Sequence, residues 1–484
     1  MKHALFVRPV LFMMPFFFVL AACTAVPTQQ AAIENTPTLT SPPPTDIPTP
    51  TPTPSAPVLG TYELLSPEDM RADLDELFAR LHNNHPDPYL WRPKAEVDID
   101  RQRVYDELSQ PLSMVEYYKK VVPLINSLGD DHTYVALPKE VSQAIIQQEL
   151  LFPLGVQIQN QRAYVIGNAS GNDEILLGAE LLSVNGIPMP DILTEIKGYL
   201  PFSRTVKPQY FWYVFGSLEE YTLELRLPVQ ENPVTRTIPG LNIMTIVQNM
   251  QLSDESPAAP PAPVTYTRLP EDETIGVLRI DSFVGLGNSV KSAFAQIQLD
   301  GIQHLIIDVR ANGGGMQNQV DLVMNFLTDQ PYRDCSKHWK APAGGYGSAA
   351  TRRESACESQ QPIEQPERYQ GKRYLLVGQK TFSAAITFST ILQDYDLAVL
   401  LGEETLAPAS FCAEASRFEL PTLPRTGLEY RNSHTCFVRP SGEADWLRGV
   451  VPDFIVETSI EDMISGHDPV LEYTLELIRG GEQP

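Results

Sequence analysis

The sequence of 484 residues has few cysteines and few basic residues for its length. It contains 36 Lys and Arg against 60 Asp and Glu, a net charge of −24 that argues against a nucleic-acid partner. It lacks a Gly-x-Ser-x-Gly motif, which disfavours a lipase or esterase of the α/β-hydrolase type. Its five cysteines include no Cys-x-x-Cys pair, and we predict no cluster of Cys and His ligands. We therefore expect no metal and no cofactor.

The N-terminus has the features of an export signal. Lys2 and Arg8 precede an apolar run at 9–20, and Leu-Ala-Ala-Cys follows at 20–23. A basic start, a short apolar run and small residues predict a secretory signal over 1–22. The ending is similar to bacterial lipoprotein signals, which implies a lipidated Cys23, a place in the cell envelope and membrane contact through this anchor. The alternative is an ordinary signal followed by a chance cysteine.

Composition divides the rest of the chain into four parts. Residues 23–60 are rich in Pro and Thr, which favours an extended spacer. Helix-start signatures predict a helical N-terminal unit over 61–145, and short strands with Gly turns predict a small β-rich domain over 150–235. Strands and helices then alternate over 270–475, which predicts an α/β core with a largely parallel sheet. The chain is thus predicted to be a multidomain α+β protein.

Two turns of the predicted core carry the candidate chemistry. Ser383 lies between an apolar strand at 374–378 and a helix that begins near Ala384. Three glycines at 313–315 follow a second apolar strand, and they allow backbone N–H groups to approach a ligand closely. Loops at the ends of parallel strands are where such sheets bind ligands. The alternative is that Ser383 only caps its helix, since Ser is favoured at that position.

Both turns resemble those of the tail-specific, or C-terminal-processing, serine peptidases. Residues 308–315 read Asp-Val-Arg-Ala-Asn-Gly-Gly-Gly, similar to the D-L-R-x-N-x-G-G pattern of that family. Residues 393–403 begin with Gln-Asp-Tyr and end with Gly-Glu, as the family's Q-D-Y-x-x-A-x-x-x-G-E segment does. The resemblance covers about residues 62–470. It implies a crotonase-like α/β core, a protein or peptide substrate, and hydrolysis of peptide bonds by a Ser nucleophile.

The resemblance also restricts the catalytic base. One branch of the family uses a Lys, but no Lys occurs from 381 to 484, and Pro408 stands about where that Lys is expected. The branch that resembles the tricorn protease core uses a His that follows the N-terminal helical unit, and His132 matches this position. Imidazole suits the role because its ordinary pKa lies near neutral pH. His434 is the alternative base.

Further roles follow from the resemblance alone. An acidic residue is expected shortly before the Gly-Val-Val-Pro-Asp segment at 449–453, which indicates Asp445, with Glu443 as the alternative. The oxyanion hole is expected from the backbone N–H groups of Gly313 or Gly314 and of Ala384. Residues 178–186 resemble the G-x-x-L-x-x-V-N-G signature of PDZ domains, which capture peptides by strand addition.

Four cysteines remain after Cys23, an even number that permits two disulfides in an exported protein. Of the three possible connectivities, we expect the nearest-neighbour pairs Cys335–Cys357 and Cys412–Cys436. One departure from the family pattern lies directly after Ala384, where Ala385 and Ile386 replace a pair that is commonly a small residue or Ser, then Glu. This departure leaves open an alternative function, a catalytically inactive envelope lipoprotein that binds peptides or other ligands.

Overall fold

A computed structural model describes residues 64–199, 205–228, 230, 232–252, 262–342, 344–347, 353–414 and 420–480. The predicted signal at 1–22, Cys23 and the whole of the predicted spacer at 23–60 lie outside these residues. Among the helices of the described ranges, none is long and apolar enough to cross a membrane.

The first region of the described chain is mainly helical, as its sequence predicts. Ser66 caps the first helix by accepting the Asp69 N–H at 3.1 Å, and Ser113 forms a reciprocal capping box with Glu116 on the third. The apolar residues that recur along both helices are buried together in one cluster. The elements are β1 (Leu64–Leu65), α1 (Pro67–Asn84), α2 (Lys94–Glu107), β2 (Leu112–Ser113), α3 (Met114–Asn126), β3 (Tyr134–Ala136) and α4 (Lys139–Gln148).

The second region is β-rich and has its own buried cluster. Its sheet has the order β10-β9-β6-β5-β4-β8, with β7 paired to β6. Asn185 and Gly186 both adopt positive φ, 52° and 77°, and turn β6 back onto β7 as a two-residue hairpin. The elements are β4 (Leu154–Gln159), β5 (Arg162–Asn168), β6 (Glu180–Val184), β7 (Ile187–Pro188), α5 (Met189–Tyr199), β8 (Thr205–Val206), α6 (Pro208–Phe215), β9 (Glu220–Arg226), β10 (Val234–Pro239) and α7 (Ile243–Leu252).

The third region is the α/β core. Its main sheet has the order β11-β12-β13-β16-β17-β21, in which only β11 is antiparallel to its neighbour. The elements are β11 (Val264–Arg268), β12 (Ile275–Ile280), α8 (Gly287–Leu299), β13 (His304–Asp308), α9 (Gln317–Met324), β14 (Lys337–Lys340), β15 (Glu354–Ala356), β16 (Lys372–Val377), α10 (Ala384–Asp394), β17 (Val399–Gly402), β18 (Phe411–Ala413), β19 (Glu429–Arg431), β20 (Thr435–Val438), β21 (Phe454–Ile455), α11 (Ile460–Ser465) and α12 (Pro469–Gly480).

The main sheet is covered on both faces, which explains why its strands are apolar without alternation. Leu305 and Ile307 of β13 belong to the cluster formed with α8, α9 and α10, whereas Ile306 belongs to the cluster that includes Val470 of α12. Successive side chains of a strand point to opposite faces, so the three central positions of this strand, 305–307, are each buried by one layer or the other. The ends of β13 and β16 therefore emerge from a rigid, fully packed layer.

A small second sheet lies beside the main one in the core. It has the order β15-β14-β20-β18 and was not predicted from the sequence. Cys412 of β18 lies directly opposite Cys436 of β20 and is bonded to it, and Cys335 is bonded to Cys357 near β14 and β15. The structure thus joins the four cysteines in the nearest-neighbour order expected from the sequence.

One strand pair connects the helical region to the core. β3 is antiparallel to β19, with Val135 opposite Tyr430. The loop before β3 is also bonded to the core, because the Ser433 N–H donates to the Thr133 hydroxyl at 3.0 Å. The helix-to-strand loop that carries His132 is therefore fixed against the α/β core.

We expect the main sheet to tolerate little loss of volume. Leu375 of β16 is fully buried, so Leu375→Ala should lower the free energy of unfolding by about 2–5 kcal/mol. The same substitution at Leu299, which is 80% exposed at the end of α8, should change it by less than about 0.5 kcal/mol. Denaturant titration followed by circular dichroism measures both, and equal effects would contradict the packing described.

Candidate active site

The turn that carries Ser383 is held by hydrogen bonds to the neighbouring strand. The Thr381 hydroxyl donates to the Val309 carbonyl at 2.9 Å and accepts the Gly378 N–H at 3.1 Å. The Phe382 N–H donates to the Asn312 carbonyl at 3.0 Å. These bonds join the turn after β16 to the glycine turn after β13, so the two segments that the sequence singled out lie side by side.

Ser383 itself adopts φ 54° and ψ −120°, a backbone conformation that is rare for residues other than glycine. Its hydroxyl makes no capping bond to the described residues of α10, so the alternative that Ser383 only caps this helix is wrong. The strained backbone turns the side chain away from the helix instead. The Ser383 Oγ lies 3.0 Å from the Nε2 of His132.

His132 is oriented by a carboxylate on its other ring nitrogen. Its Nδ1 lies 2.7 Å from Oδ1 of Asp131, whose side chain is buried. An ionised carboxylate only accepts hydrogen bonds, so Nδ1 carries the proton and the Nε2 lone pair faces the Ser383 hydroxyl. This is the tautomer that a base needs in order to take the hydroxyl proton.

Two aromatic rings fix the plane of the His132 ring. Phe382 stacks on it with ring centroids 4.7 Å apart and Phe411 with centroids 5.5 Å apart, both at interplanar angles below 20°. The imidazole is consequently buried and can rotate little. Burial lowers the pKa of His132, but the charge and hydrogen bond of Asp131 outweigh it, so the pKa lies above its ordinary value.

The glycine turn packs directly against the nucleophile. A Cβ on Gly314 would lie 2.6 Å from the Ser383 Cβ and 3.0 Å from the Ala384 nitrogen, and Gly314 has φ 98°. Only glycine permits this approach and this backbone conformation. The requirement explains the glycine at this position in physical terms.

Of the three predicted oxyanion donors, the structure leaves two available. Ala384 is the first residue of α10, so its N–H has no acceptor within the helix. Gly313 likewise donates to no acceptor among the described residues. The Gly314 N–H, by contrast, donates to the Asn312 side-chain oxygen at 2.8 Å, so of the two glycines named as alternatives the structure favours Gly313. Asn312 forms a local side-chain turn here, and its amide also donates to the Ile280 carbonyl at 3.0 Å.

The structure does not bring Asp445 to His132, so its predicted orienting role is wrong. The Asp445 carboxylate lies on an exposed turn and accepts the N–H groups of Leu447 and Arg448 at 3.0 and 3.1 Å. Glu443 is exposed on the same turn. His434, the alternative base, is half-buried with its Nδ1 3.8 Å from Glu414. The carboxylate that bonds to His132 is Asp131, the preceding residue in the chain.

Three residues of the site had no assigned role from the sequence: Asp131, Phe382 and Phe411. Asp131 was detectable, since it is a carboxylate that directly precedes the predicted base in the sequence. Phe382 directly precedes the nucleophile, but nothing in the sequence indicates that its ring stacks on His132. Phe411 reaches the site on β18 of the unpredicted small sheet, so local sequence held no signal for it.

Two groups of described residues place possible metal ligands within 4.8 Å of one another: Asp130 with Asp131 and His132, and Cys335 with His338 and Cys357. The second group contradicts the prediction that Cys and His side chains do not cluster in this protein. Its sulfurs are joined in a disulfide, however, and a metal binds thiolates. In the first group the carboxylates accept the hydrogen bonds of the His132 backbone and ring.

We expect Asp131 and Asp445 to respond differently to the same substitution. Asp131→Asn places an amide beside Nδ1, favours the wrong tautomer and should slow labelling of Ser383 by a fluorophosphonate about 10³–10⁴-fold. Asp445→Asn should leave the labelling rate within about twofold, because this carboxylate accepts only local backbone N–H groups. Mass spectrometry measures the labelling rate of each variant. Slow labelling of Asp445→Asn together with wild-type labelling of Asp131→Asn would show that Asp445, and not Asp131, orients His132.

Comparison with known proteins supports the family resemblance. The sequence matches peptidase family S41 over residues 274–456. A tail-specific protease of Haemophilus influenzae is 25% identical over 232 residues, 47% of this chain and 30% of that protein, so the match spans less than a third of the relative. The structure of mature CPAF complexed with lactacystin superposes with a TM-score of 0.58 at 17% identity, covering 86% of this chain and 99% of that one. At this identity, the superposition shows a shared fold alone.

A second solved structure, the photosystem II D1 C-terminal processing protease, has a TM-score of 0.45 at 16% identity and supports no argument. The S41 match contains β12 to β21 and therefore Ser383, Gly313 and Ala384, whereas Asp131 and His132 lie before it. The predicted nucleophile and oxyanion donors thus lie within the matched segment, whereas the predicted base lies in the helical region. Residues 274–456 of this chain thus match the model of peptidase family S41, a family of serine-type peptidases.

Proposed function

We propose that this protein is an exported serine endopeptidase that hydrolyses peptide bonds of unfolded or tail-exposed proteins through Ser383, His132 and Asp131. The observation that carries the proposal is the chain of two contacts, 3.0 Å from Ser383 Oγ to His132 Nε2 and 2.7 Å from His132 Nδ1 to Asp131. A hydroxyl, an imidazole in the basic tautomer and an orienting carboxylate are the groups that acyl transfer from a Ser requires.

The reaction has two halves. Ser383 Oγ attacks the peptide carbonyl while His132 Nε2 takes the hydroxyl proton, and the N–H groups of Ala384 and Gly313 bind the oxyanion. His132 returns the proton to the leaving amine, which departs and leaves an ester on Ser383. Water then attacks this ester, His132 accepts the water proton, and the proton passes to Ser383 Oγ as the carboxylic acid product leaves.

The proposed substrate class rests on the relative and on the β-rich region. The Haemophilus influenzae relative is described as a tail-specific protease. The β6–β7 hairpin carries the Asn-Gly turn of the sequence that resembles the PDZ signature, and its sheet has strand edges to which a peptide can add. We therefore propose that this region is PDZ-like and captures an extended segment of the substrate, and that the α/β core is of the crotonase-like kind.

Export and lipid anchoring are also proposals. The export signal and the Leu-Ala-Ala-Cys ending at Cys23 support them, and so do the two disulfides, since disulfides persist mainly in oxidising compartments. The Pro/Thr-rich segment at 23–60 would then separate the enzyme from the bacterial membrane that holds the anchor.

The alternative of an inactive binding protein was based on Ala385 and Ile386. Both side chains are fully buried in the core cluster under α10, so neither faces the site. Their departure from the family pattern therefore removes no group from the Ser383–His132–Asp131 chain. The inactive alternative stays as one outcome of the test below.

We expect two substitutions to abolish hydrolysis of an unstructured protein such as casein. Ser383→Ala removes the nucleophile, and His132→Gln removes the base while keeping a polar group; each should lower the rate at least about 10³-fold. A fluorophosphonate should label the wild type at Ser383 only. His434→Gln is the matched control and should retain activity, because His434 lies beside Glu414 rather than Ser383.

Thermal unfolding shows whether each variant folds. Casein hydrolysis retained in folded Ser383→Ala and His132→Gln protein would overturn the mechanism. A folded wild type that neither cleaves casein nor reacts with the probe would favour the inactive alternative.

We expect Cys23→Ser to release the protein from the membrane. Without the thiol no lipid can be attached, so after expression in a bacterium the variant should move from the membrane fraction to the soluble fraction. Immunoblots of both fractions and incorporation of a clickable fatty acid measure the change. Labelling that persists in the Cys23→Ser protein would contradict anchoring at this residue, and catalysis by purified protein should be unaffected.

A further inference from the structure

A second histidine lies behind the proposed base, buried and without a role in the chemistry above. His85 directly follows α1, is 1% exposed, and its Nε2 lies 2.9 Å from Oδ2 of Asp130. On the other side of the ring, the Asp87 N–H donates to Nδ1 at 3.0 Å. Because Nδ1 accepts a hydrogen bond, the proton resides on Nε2 and is donated to the Asp130 carboxylate. The geometry therefore makes His85 a fixed donor.

Asp130 connects this donor to the base. One carboxylate oxygen, Oδ1, accepts the backbone N–H of His132 at 3.1 Å, and the other, Oδ2, accepts the Thr133 hydroxyl in addition to His85. The Thr133 hydroxyl in turn accepts the Ser433 N–H of the core at 3.0 Å. A single buried carboxylate thus fixes both the backbone of the base and the residue that ties its loop to the core.

The electrostatics of Asp130 depend on His85. Burial raises the pKa of Asp130, but hydrogen bonds, of which the one from His85 has the largest effect, and charge interactions together outweigh burial and hold this pKa below its usual value. A buried carboxylate that loses a donor either takes up a proton or rearranges, because an uncompensated buried charge is costly. Either event would disturb the hydrogen bond to the His132 backbone.

We propose that His85 is a positioning residue for catalysis, acting through Asp130 to hold the His132 loop at the distance that lets Nε2 accept the Ser383 proton. The proposal rests on the function proposed above. His85 touches neither the nucleophile nor the substrate in this arrangement. It acts on catalysis because a displacement of about 1 Å between reacting groups can reduce a rate about 10²-fold.

Substitution of His85 by Gln or by Asn tests this proposal, because the two side-chain amides lie at different distances from the backbone. Gln at position 85 places an amide N–H about where Nε2 of His lies, so His85→Gln can still donate to Asp130. Asn places its amide about where Nδ1 lies, so His85→Asn keeps polarity near Asp87 but cannot reach Asp130. His304→Asn is the matched control, because His304 lies at the start of β13, at the end of the strand remote from the glycine turn.

The variants are made in the full chain, and two quantities are measured: the rate of fluorophosphonate labelling at Ser383, and kcat and KM on a casein-derived peptide. We expect His85→Asn to lower the labelling rate and kcat about 10²-fold with KM unchanged, and His85→Gln to recover to within about fivefold of the wild type. His304→Asn should match the wild type.

The pH dependence gives a readout that a purely structural role would not move. The charged groups that face His132 are Asp130 and Asp131 on its own loop and Arg431 on β19. Loss of the Asp130 charge in His85→Asn removes one influence that raises the pKa of His132, so the acid limb of the labelling profile should shift to lower pH. In His85→Gln the limb should stay in place.

The outcomes separate the two proposals. A wild type that is not labelled overturns the proposed function, whatever the variants do. A labelled wild type with His85→Asn at the wild-type rate overturns the role of His85 alone. So does a His85→Gln protein that melts like the wild type but is as slow as His85→Asn, since restored donation would then not restore the rate.

Discussion

The hydrogen bond between Ser383 and His132 is the interaction on which the site depends, and it joins residues 251 positions apart in the chain. This hydrogen bond forms because other contacts hold both residues in place. The Ser383 turn is fixed by bonds to the neighbouring strand end, and the His132 loop is fixed by the pairing of β3 with β19 and by Ser433. The proposed catalytic pair therefore joins the segment that matches peptidase family S41, residues 274–456, to the helical region that precedes it.

The helical region fixes the position of the His132 loop against the core. Its buried cluster contains residues of α1 and α3 together with Leu428 and Tyr430 of the core, so the helices and the segment around β19 share one apolar interior. Asp73 of α1 is fully buried and accepts the N–H groups of Arg425 and Thr426. Packing and hydrogen bonds thus hold the base-bearing loop in place before any substrate arrives, which is the preorganisation that enzymes use to lower barriers.

The small sheet contributes a second constraint on the base. Phe411 of β18 stacks on one face of the imidazole, and the adjacent Cys412 is bonded to Cys436 on the opposite strand. The ring of Phe382, next to Ser383, also stacks on the imidazole. The imidazole therefore packs against two elements that are themselves cross-linked or hydrogen-bonded, and a buried imidazole beside Asp131 can keep one tautomer and one orientation.

Local sequence was enough to predict the main strands and helices of the α/β core and the candidate residues on the turns that follow the strands. Apolar runs without alternation predicted buried parallel strands, and helix 384–394 was placed where α10 lies. The absence of Lys after residue 380 restricted the base to a histidine, and the family pattern indicated His132. Apolar strands and glycine turns can be recognised from a few neighbouring residues, and the absence of Lys can be read directly from the sequence.

Only the tertiary structure decided which carboxylate and which backbone groups join that histidine and serine. Asp131 directly precedes His132 and Asp445 does not, but adjacency in sequence does not show whether a carboxylate bonds to Nδ1; the structure shows this bond for Asp131. Gly313 and Gly314 are adjacent in sequence, yet the Asn312 side chain accepts a hydrogen bond from the N–H of Gly314 and not from that of Gly313. These bonds join near neighbours in the chain, but they depend on backbone and side-chain conformations that the sequence does not specify. The contact between Ser383 and His132 spans 251 positions, and only the packing of the fold sets that distance.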